Sequence, residues 1–178
     1  VYNTESMCLS NGGIGVIYSC DIEADGLLDE ATRIHCVSVK ALDYIPATFT
    51  DVNEFIVFLT ELTLKDTLVL HNGFGYDLAL LVKLEVIKDY TPTTITLMDN
   101  SVKQVQLIDS LALSHEYWPD KPNGHGLEAW AKQLGTFKPH IDDWENLPIE
   151  TYVQRCTDDV LTTEKLFIYL ADKLGVEL

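Results

Sequence analysis

Three short acidic segments of this chain stand where carboxylates can hold a cation. Asp21-Ile22-Glu23 closes a β-rich run that starts near Val16 and ends at the Asp25-Gly26 turn. Side chains alternate across a strand, so both carboxylates project to one face and Ile22 to the other. Two like charges on one face repel unless a cation lies between them, although a lone Asp-X-Glu is more often a solvent-facing strand end. The second segment, HNGFGYDLALL, runs from a buried strand through a glycine-rich turn into an apolar helix, with Asp77 in the first turn. An acid there also suits the helix dipole. Asn72 sits at the carboxyl end of that strand, where substrates of open α/β sheets lie. The third segment, RCTDDVLTTEKLF, sets Asp158 and Asp159 inside the last helix, with Asp159 at the edge of its apolar stripe.

The elements that must position these residues follow from hydrophobic period and turn chemistry. Val16–Ile22 and Ile34–Leu42 read as a strand pair with a long connection. Asp51 is the expected N-cap of a helix carrying Val52, Phe55, Ile56 and Leu59 on one face. TLVLHNG is a buried strand, Tyr76–Ile87 a buried helix, and KQVQLIDSLAL a further strand around Val105–Ile108. Pro119–Gly126 is a loop, and LEAWAKQLG a short helix closed by Gly135. Ile149–Gly175 reads as one long amphipathic helix or two abutting ones. A strand meander followed by alternating helices and strands favours an α/β fold, a mixed sheet with helices on its faces.

Composition narrows the class. With 178 residues the chain fits one domain, expected over residues 14–178, behind a lead-in of residues 1–13 that is either disordered or foreign to the native protein. The net charge of −16 excludes gripping duplex DNA by its phosphates, which needs a basic face. The four cysteines Cys8, Cys20, Cys36 and Cys156 form no CxxC pair or zinc set and suit a reducing cytoplasm. No apolar block approaches the length of a membrane span, and no secretory leader is visible.

Taken together, DIEADGLLDEATRIHCVSV, HNGFGYDLALLVKL, LIDSLALS, GHGLEAWAKQLGTFK and TDDVLTTEKLF resemble, in order and spacing, the DEDD 3′-to-5′ proofreading exonucleases. The likeness is to the exonuclease domain of A-type DNA polymerases from short-tailed bacteriophages, and it spans about Ile17 to Leu170. It implies a ribonuclease H-like fold, expected here with five strands. It also implies that Asp21, Glu23, Asp77 and Asp159 bind two divalent cations, Mg²⁺ or Mn²⁺, at a site hydrolysing single-stranded DNA from its 3′ end. His71 and Asn72 would lie near the terminal nucleotide, with Phe74 and Tyr76 as aromatic contacts. The implied partner is a DNA polymerase domain or subunit, in the cytoplasm of a bacterial host if the chain is phage-derived. The chain is expected to be either a piece of a longer polymerase or a stand-alone subunit.

One departure stands out. Four residues before the last Asp, where the commoner subgroup carries a water-orienting Tyr, this chain has Arg155, and five before it, where the other subgroup has His, it has Gln154. Tyr152, on the same helix seven residues before Asp159, is a candidate catalytic residue that would reach in after a local shift, and metal alone positioning the water is the other alternative. Arg155 would either contact a phosphate or pair with Asp159 at i+4 and compete with metal. His125, Glu128 and Trp130 belong to the GHGLEAW match, with packing the expected role of Trp130, and Lys138 is a candidate phosphate contact. The alternatives are an RNA exonuclease using the same carboxylates, or a non-catalytic domain of the same fold that binds nucleic acid or a partner.

Overall fold

The computed structural model describes residues 15–136, 147–176 and 178. The expected lead-in over residues 1–13 and Lys138 lie outside the described residues. β1 (Ile17–Ala24), β2 (Ile34–Ala41) and β3 (Ala47–Phe49) form an antiparallel meander. After α1 (Val52–Glu61) the chain enters β4 (Thr67–Leu70), parallel to β1, and then α2 (Asp77–Lys83). β5 (Ile87–Thr91), β6 (Thr94–Leu97) and β7 (Val102–Gln104) build a separate three-stranded antiparallel sheet. β8 (Gln106–Asp109) returns to the main sheet parallel to β4, followed by α3 (Ser110–Tyr117), α4 (Leu127–Leu134) and α5 (Ile149–Leu174). The main sheet is mixed and five-stranded, ordered β3-β2-β1-β4-β8, the ribonuclease H-like α/β arrangement expected.

Local chemistry accounts for the elements that carry the site. Asp51 caps α1 by accepting a 2.9 Å hydrogen bond from the amide of Asn53. Gly135 ends α4 at φ 67°, the left-handed conformation that glycine adopts without steric cost. The main sheet is covered on both faces. On one, Cys20, Ile22, Val37 and Val39 meet Phe55 and Leu59 of α1 and Leu78 and Leu81 of α2 in the main core. On the other lies α5, a single 26-residue helix about 39 Å long that crosses β1 and β2. Its C-terminal half packs Leu166 and Leu170 against Trp130 and Leu127 of α4. No helix among the described residues is long and apolar enough to cross a membrane.

Two expectations need correction. The helix expected over Tyr76–Ile87 is α2 alone; it stops at Lys83, Glu85 turns back at φ 54°, and Ile87 already begins β5. Val86 and Ile87 are as buried as the helix residues before them, so the apolar run does not break where the helix does. The strand segment KQVQLIDSLAL is split: Lys103 and Gln104 end β7, Gln106–Asp109 form β8 and Ser110–Leu113 begin α3, while the β5–β6 hairpin carries no expectation of its own.

Candidate metal centre

The centre of the site is β1. Even-numbered Cys20 and Ile22 enter the main core at 1% and 4% exposure, which turns Asp21 and Glu23 to the α5 side of the sheet. A β-bulge at Glu23/Ala24 ends the regular pairing with β2 beside the second carboxylate. α5 is pinned to this strand by the Cys156 thiol, which donates to the Asp21 carbonyl oxygen at 3.2 Å. Asp159, one helical turn after Cys156, is thereby carried to the same place and is 6% exposed. One carboxylate oxygen from each of Asp21, Glu23 and Asp159 lies within 4.8 Å of the others. Three carboxylate oxygens gathered this closely would be the ligands of a shared divalent cation. Hard carboxylate oxygens suit Mg²⁺ or Mn²⁺.

Asp77 approaches from α2. It is 4% exposed, and its Oδ1 accepts a 3.1 Å hydrogen bond from the amide of Ile22, the residue between the two β1 carboxylates. Burial pushes its carboxyl up to about 8; its hydrogen bonds oppose the rise, and the charges of Asp109 and Glu23 add to it. Asp77 therefore borders the three-carboxylate group and is not one of the three. Asp158, the other half of the Asp-Asp pair, turns away and accepts from the Gln154 side chain at 2.9 Å.

Arg155 lies inside the cluster. Its Nε is 3.4 Å from Asp159 Oδ2, one turn further along α5, and 3.8 Å from Glu23 Oε1, with 14% of its side chain exposed. The i+4 pairing expected from spacing is present, and the contact to β1 adds a second carboxylate. Tyr152 is 4% exposed and stacks on the His35 ring at a centroid distance of 3.9 Å, packing with Cys36 and Cys156.

The turn between β4 and α2 is held by residues that motif reasoning passed over. Asp109, at the end of β8, caps α3 by accepting from the Leu111 amide at 2.9 Å and also takes the amide of Asn72 at 2.8 Å. Asn72 is exposed at φ 62°. A Cβ on Gly73 would sit 2.4 Å from Leu70 Cβ, so only glycine fits this turn. Ser110 donates to the Leu70 carbonyl at 3.0 Å, and His71 Nδ1 lies 2.9 Å from the same hydroxyl oxygen. The Ser110 hydroxyl thus links the Leu70 carbonyl to the His71 ring. The Tyr76 hydroxyl donates to the Gly26 carbonyl at 2.7 Å, tying the turn to the loop after β1. Phe74 is half-buried against the Tyr90 ring. Asp109 was legible in principle as the acid before a helix; its grip on Asn72 was not.

The GHGLEAW residues form a structural group. Trp130 is fully buried and donates to Ser114 Oγ at 2.8 Å; that oxygen also lies 2.7 Å from His125 Nδ1. Glu128 pairs with Lys132 on the surface of α4. Sequence reading also missed Lys40 of β2, 7% exposed, which pairs with Glu164 five residues beyond Asp159 on α5.

No family model matches the chain. The DNA-directed DNA polymerase of Escherichia phage T7 is 28% identical over 137 residues, 69% of this chain and 20% of that protein. The chain thus spans a fifth of that polymerase's length. Among solved structures, Brucella melitensis NrnC with bound Mg²⁺ superposes with a TM-score of 0.61 at 18% identity, over 94% of this chain and 77% of that one. Phi29 DNA polymerase complexed with single-stranded DNA gives 0.59 at 15% identity, over 92% of this chain and 32% of that one. The family B DNA polymerase of Pyrobaculum calidifontis gives 0.61 at 18%, over 92% and 25%. The fold is thus one shared with a nuclease and with parts of DNA polymerases, and the sequence likeness is to a fifth of one DNA polymerase.

Proposed function

We propose that this chain is a metal-dependent 3′-to-5′ exonuclease that hydrolyses single-stranded DNA ends to nucleoside monophosphates in the service of a phage-type DNA polymerase. The observation that carries the reading is the meeting of Asp21, Glu23 and Asp159, from β1 and from a helix 136 residues further on, within 4.8 Å. A packed domain gains nothing by collecting repelling carboxylates unless a cation joins them. Asp21, Glu23, Asp77 and Asp159 are the residues to hold two divalent ions, Mg²⁺ or Mn²⁺. Bound there, such ions supply Lewis acidity for the phosphodiester and lower the pKa of water.

The chain's own residues provide position. The β1 ladder fixes Asp21 and Glu23, the Cys156 thiol holds α5 against them, and the Ile22 amide holds Asp77. Asn72, exposed just beyond the carboxyl end of β4, and His71, its ring held at the Ser110 hydroxyl, are the groups to receive the terminal nucleotide. Phe74 offers a ring edge to a base. Tyr76, whose hydroxyl is bound to Gly26, shapes the turn and has only its ring to offer.

The test is digestion of a 5′-labelled single-stranded DNA with Mg²⁺ or Mn²⁺, beside EDTA and an Asp21→Ala/Glu23→Ala control. A metal-dependent ladder that shortens from the 3′ end and vanishes in the control supports the reading. A second reading, RNA as substrate, is favoured by one observation: NrnC bound to pGG has the same fold, with a TM-score of 0.64. An RNA oligonucleotide and pGG therefore belong in the same assay, and cleavage of these alone would replace DNA with RNA in the proposal. Binding without cleavage of any of them would leave a non-catalytic domain.

A further inference from the structure

We propose that Arg155 is a built-in counter-cation: its guanidinium holds Glu23 and Asp159 in the metal-free protein and must leave them when a divalent ion binds. It thereby sets the metal affinity of the site. This rests on the metal-site reading above and adds to it a residue that controls occupancy.

Glu23 and Asp159 come from different elements, and with Asp21 they concentrate three carboxylates at one point. Arg155 Nε stands 3.8 Å from the first and 3.4 Å from the second. Those distances place its positive charge against two of the three carboxylates. Guanidinium does not deprotonate at any physiological pH, so proton loss cannot remove the competition. With only 14% of the Arg155 side chain exposed, solvent and salt screen the charge weakly. A divalent ion drawn to the same oxygens meets this charge at close range, and the two cannot share them without strong repulsion. The long arginine stem gives the guanidinium a way out: its methylenes can stay against the helix while the head swings toward water. Two roles follow for one side chain. It neutralises the cluster while metal is absent, and it sets a threshold of metal concentration below which the site stays closed.

The experiment uses the full chain and Mn²⁺ alone as the probe. Isothermal titration gives the Mn²⁺ Kd of the wild type, Arg155→Met and Arg155→Gln, and thermal melts are recorded in EDTA and in saturating Mn²⁺. With the competing charge gone, Mn²⁺ should bind roughly ten- to a hundredfold tighter, the span expected for charge-assisted contacts of this kind. The EDTA melting temperature should fall in the same variants, so the rise produced by Mn²⁺ becomes larger than in the wild type. An unchanged or weaker Mn²⁺ affinity, with melting lowered equally in EDTA and Mn²⁺, would make Arg155 an ordinary structural tie and overturn the proposal. Should Arg155→Met fail to fold, Arg155→Gln, which keeps a hydrogen-bonding head without the charge, is judged by the same criterion. Failure of the wild type and both variants to bind Mn²⁺ at all would overturn the metal-site reading together with this one, a result distinct from unchanged binding.

Discussion

Replacing Asp77 by Asn should stabilise the metal-free protein while removing its activity, and the stabilisation should grow with pH. Asp77 is 4% exposed, and burial is the main reason its carboxyl is pushed from the ordinary 3.8 to about 8. The folded state therefore holds a proton that the unfolded chain releases above pH ~4. Stability from this group is complete below pH ~4, falls as pH rises, and is lost by the time pH passes 8. A shift of roughly four units at ~1.4 kcal/mol each sets an upper limit near ~6 kcal/mol. Water entry and side-chain movement relieve part of such a penalty, so half, ~3 kcal/mol, is the working figure. Asn keeps an oxygen to accept the Ile22 amide and carries no charge. At ~2–4 °C per kcal/mol for a chain of this size, Asp77→Asn in EDTA should melt ~6–12 °C above the wild type at pH 8. The gap should close toward pH 4. Melting curves between pH 4 and 9 measure it directly. A gap of the same size at every pH, or a variant less stable than the wild type at pH 8, would refute the reasoning.

Three further outcomes follow from the packing around the site. Lys40→Met leaves the Glu164 carboxylate, 14% exposed, beside an apolar group and should cost ~3 kcal/mol by urea unfolding, while adding Glu164→Leu should recover most of it. Gly73→Ala puts a methyl 2.4 Å from Leu70 Cβ; the turn has to shift, costing ~2 kcal/mol by urea unfolding. If Asp77 acts as proposed, cleavage should fall by on the order of tenfold or more as it moves. Asp109→Ala removes both the α3 cap and the acceptor for Asn72, a loss of ~2–4 kcal/mol, with Asp109→Asn retaining part of it. Hydrogen exchange at the Asn72 amide, accelerated in the alanine variant first, distinguishes this from global unfolding.

What the sequence made legible depended on whether a pattern was local. The alternation of Cys20, Ile22 and the two β1 acids, the Asp51 cap and the long stripe of α5 all express one periodicity over many residues. The end of α2 does not, because Leu81, Val86 and Ile87 are all buried and the turn uses Glu85 at φ 54° where a glycine would have marked it. α3 escaped because its fully buried positions are Ser110 and Ser114, so it has no apolar stripe to find. The β5–β7 meander pairs mainly with itself and leaves most of β5 outside the core, which erases the usual strand signature. At the site, the i+4 relation of Arg155 and Asp159 could be counted along the chain. The approach of Arg155 to Glu23 and the pairing of Lys40 with Glu164 require the fold, since each joins α5 to a strand more than a hundred residues earlier.

The arrangement around β1 separates what holds the acids from what they do. Their positions are set by neutral anchors: the β1 ladder, the Cys156 thiol on the Asp21 carbonyl, the Ile22 amide on Asp77, and behind them Val160, Leu166 and Leu170 of α5 at complete burial. Apart from the Ile22 amide, which favours the ionised form of Asp77, these contacts do not depend on the charge of the carboxylates. The acids can therefore repel one another without the site coming apart, and the unfavourable electrostatics remains as a standing affinity for positive charge. Further along α5 the same face carries Glu164, whose charge has a dedicated partner in Lys40. At the carboxylate cluster, Arg155 reaches inward on a long stem from the same helix. Lys40 pairs with Glu164 across facing elements, whereas Arg155 divides one charge between Asp159 on its own helix and Glu23 on β1, and the divided arrangement suits the exchange of cations proposed above.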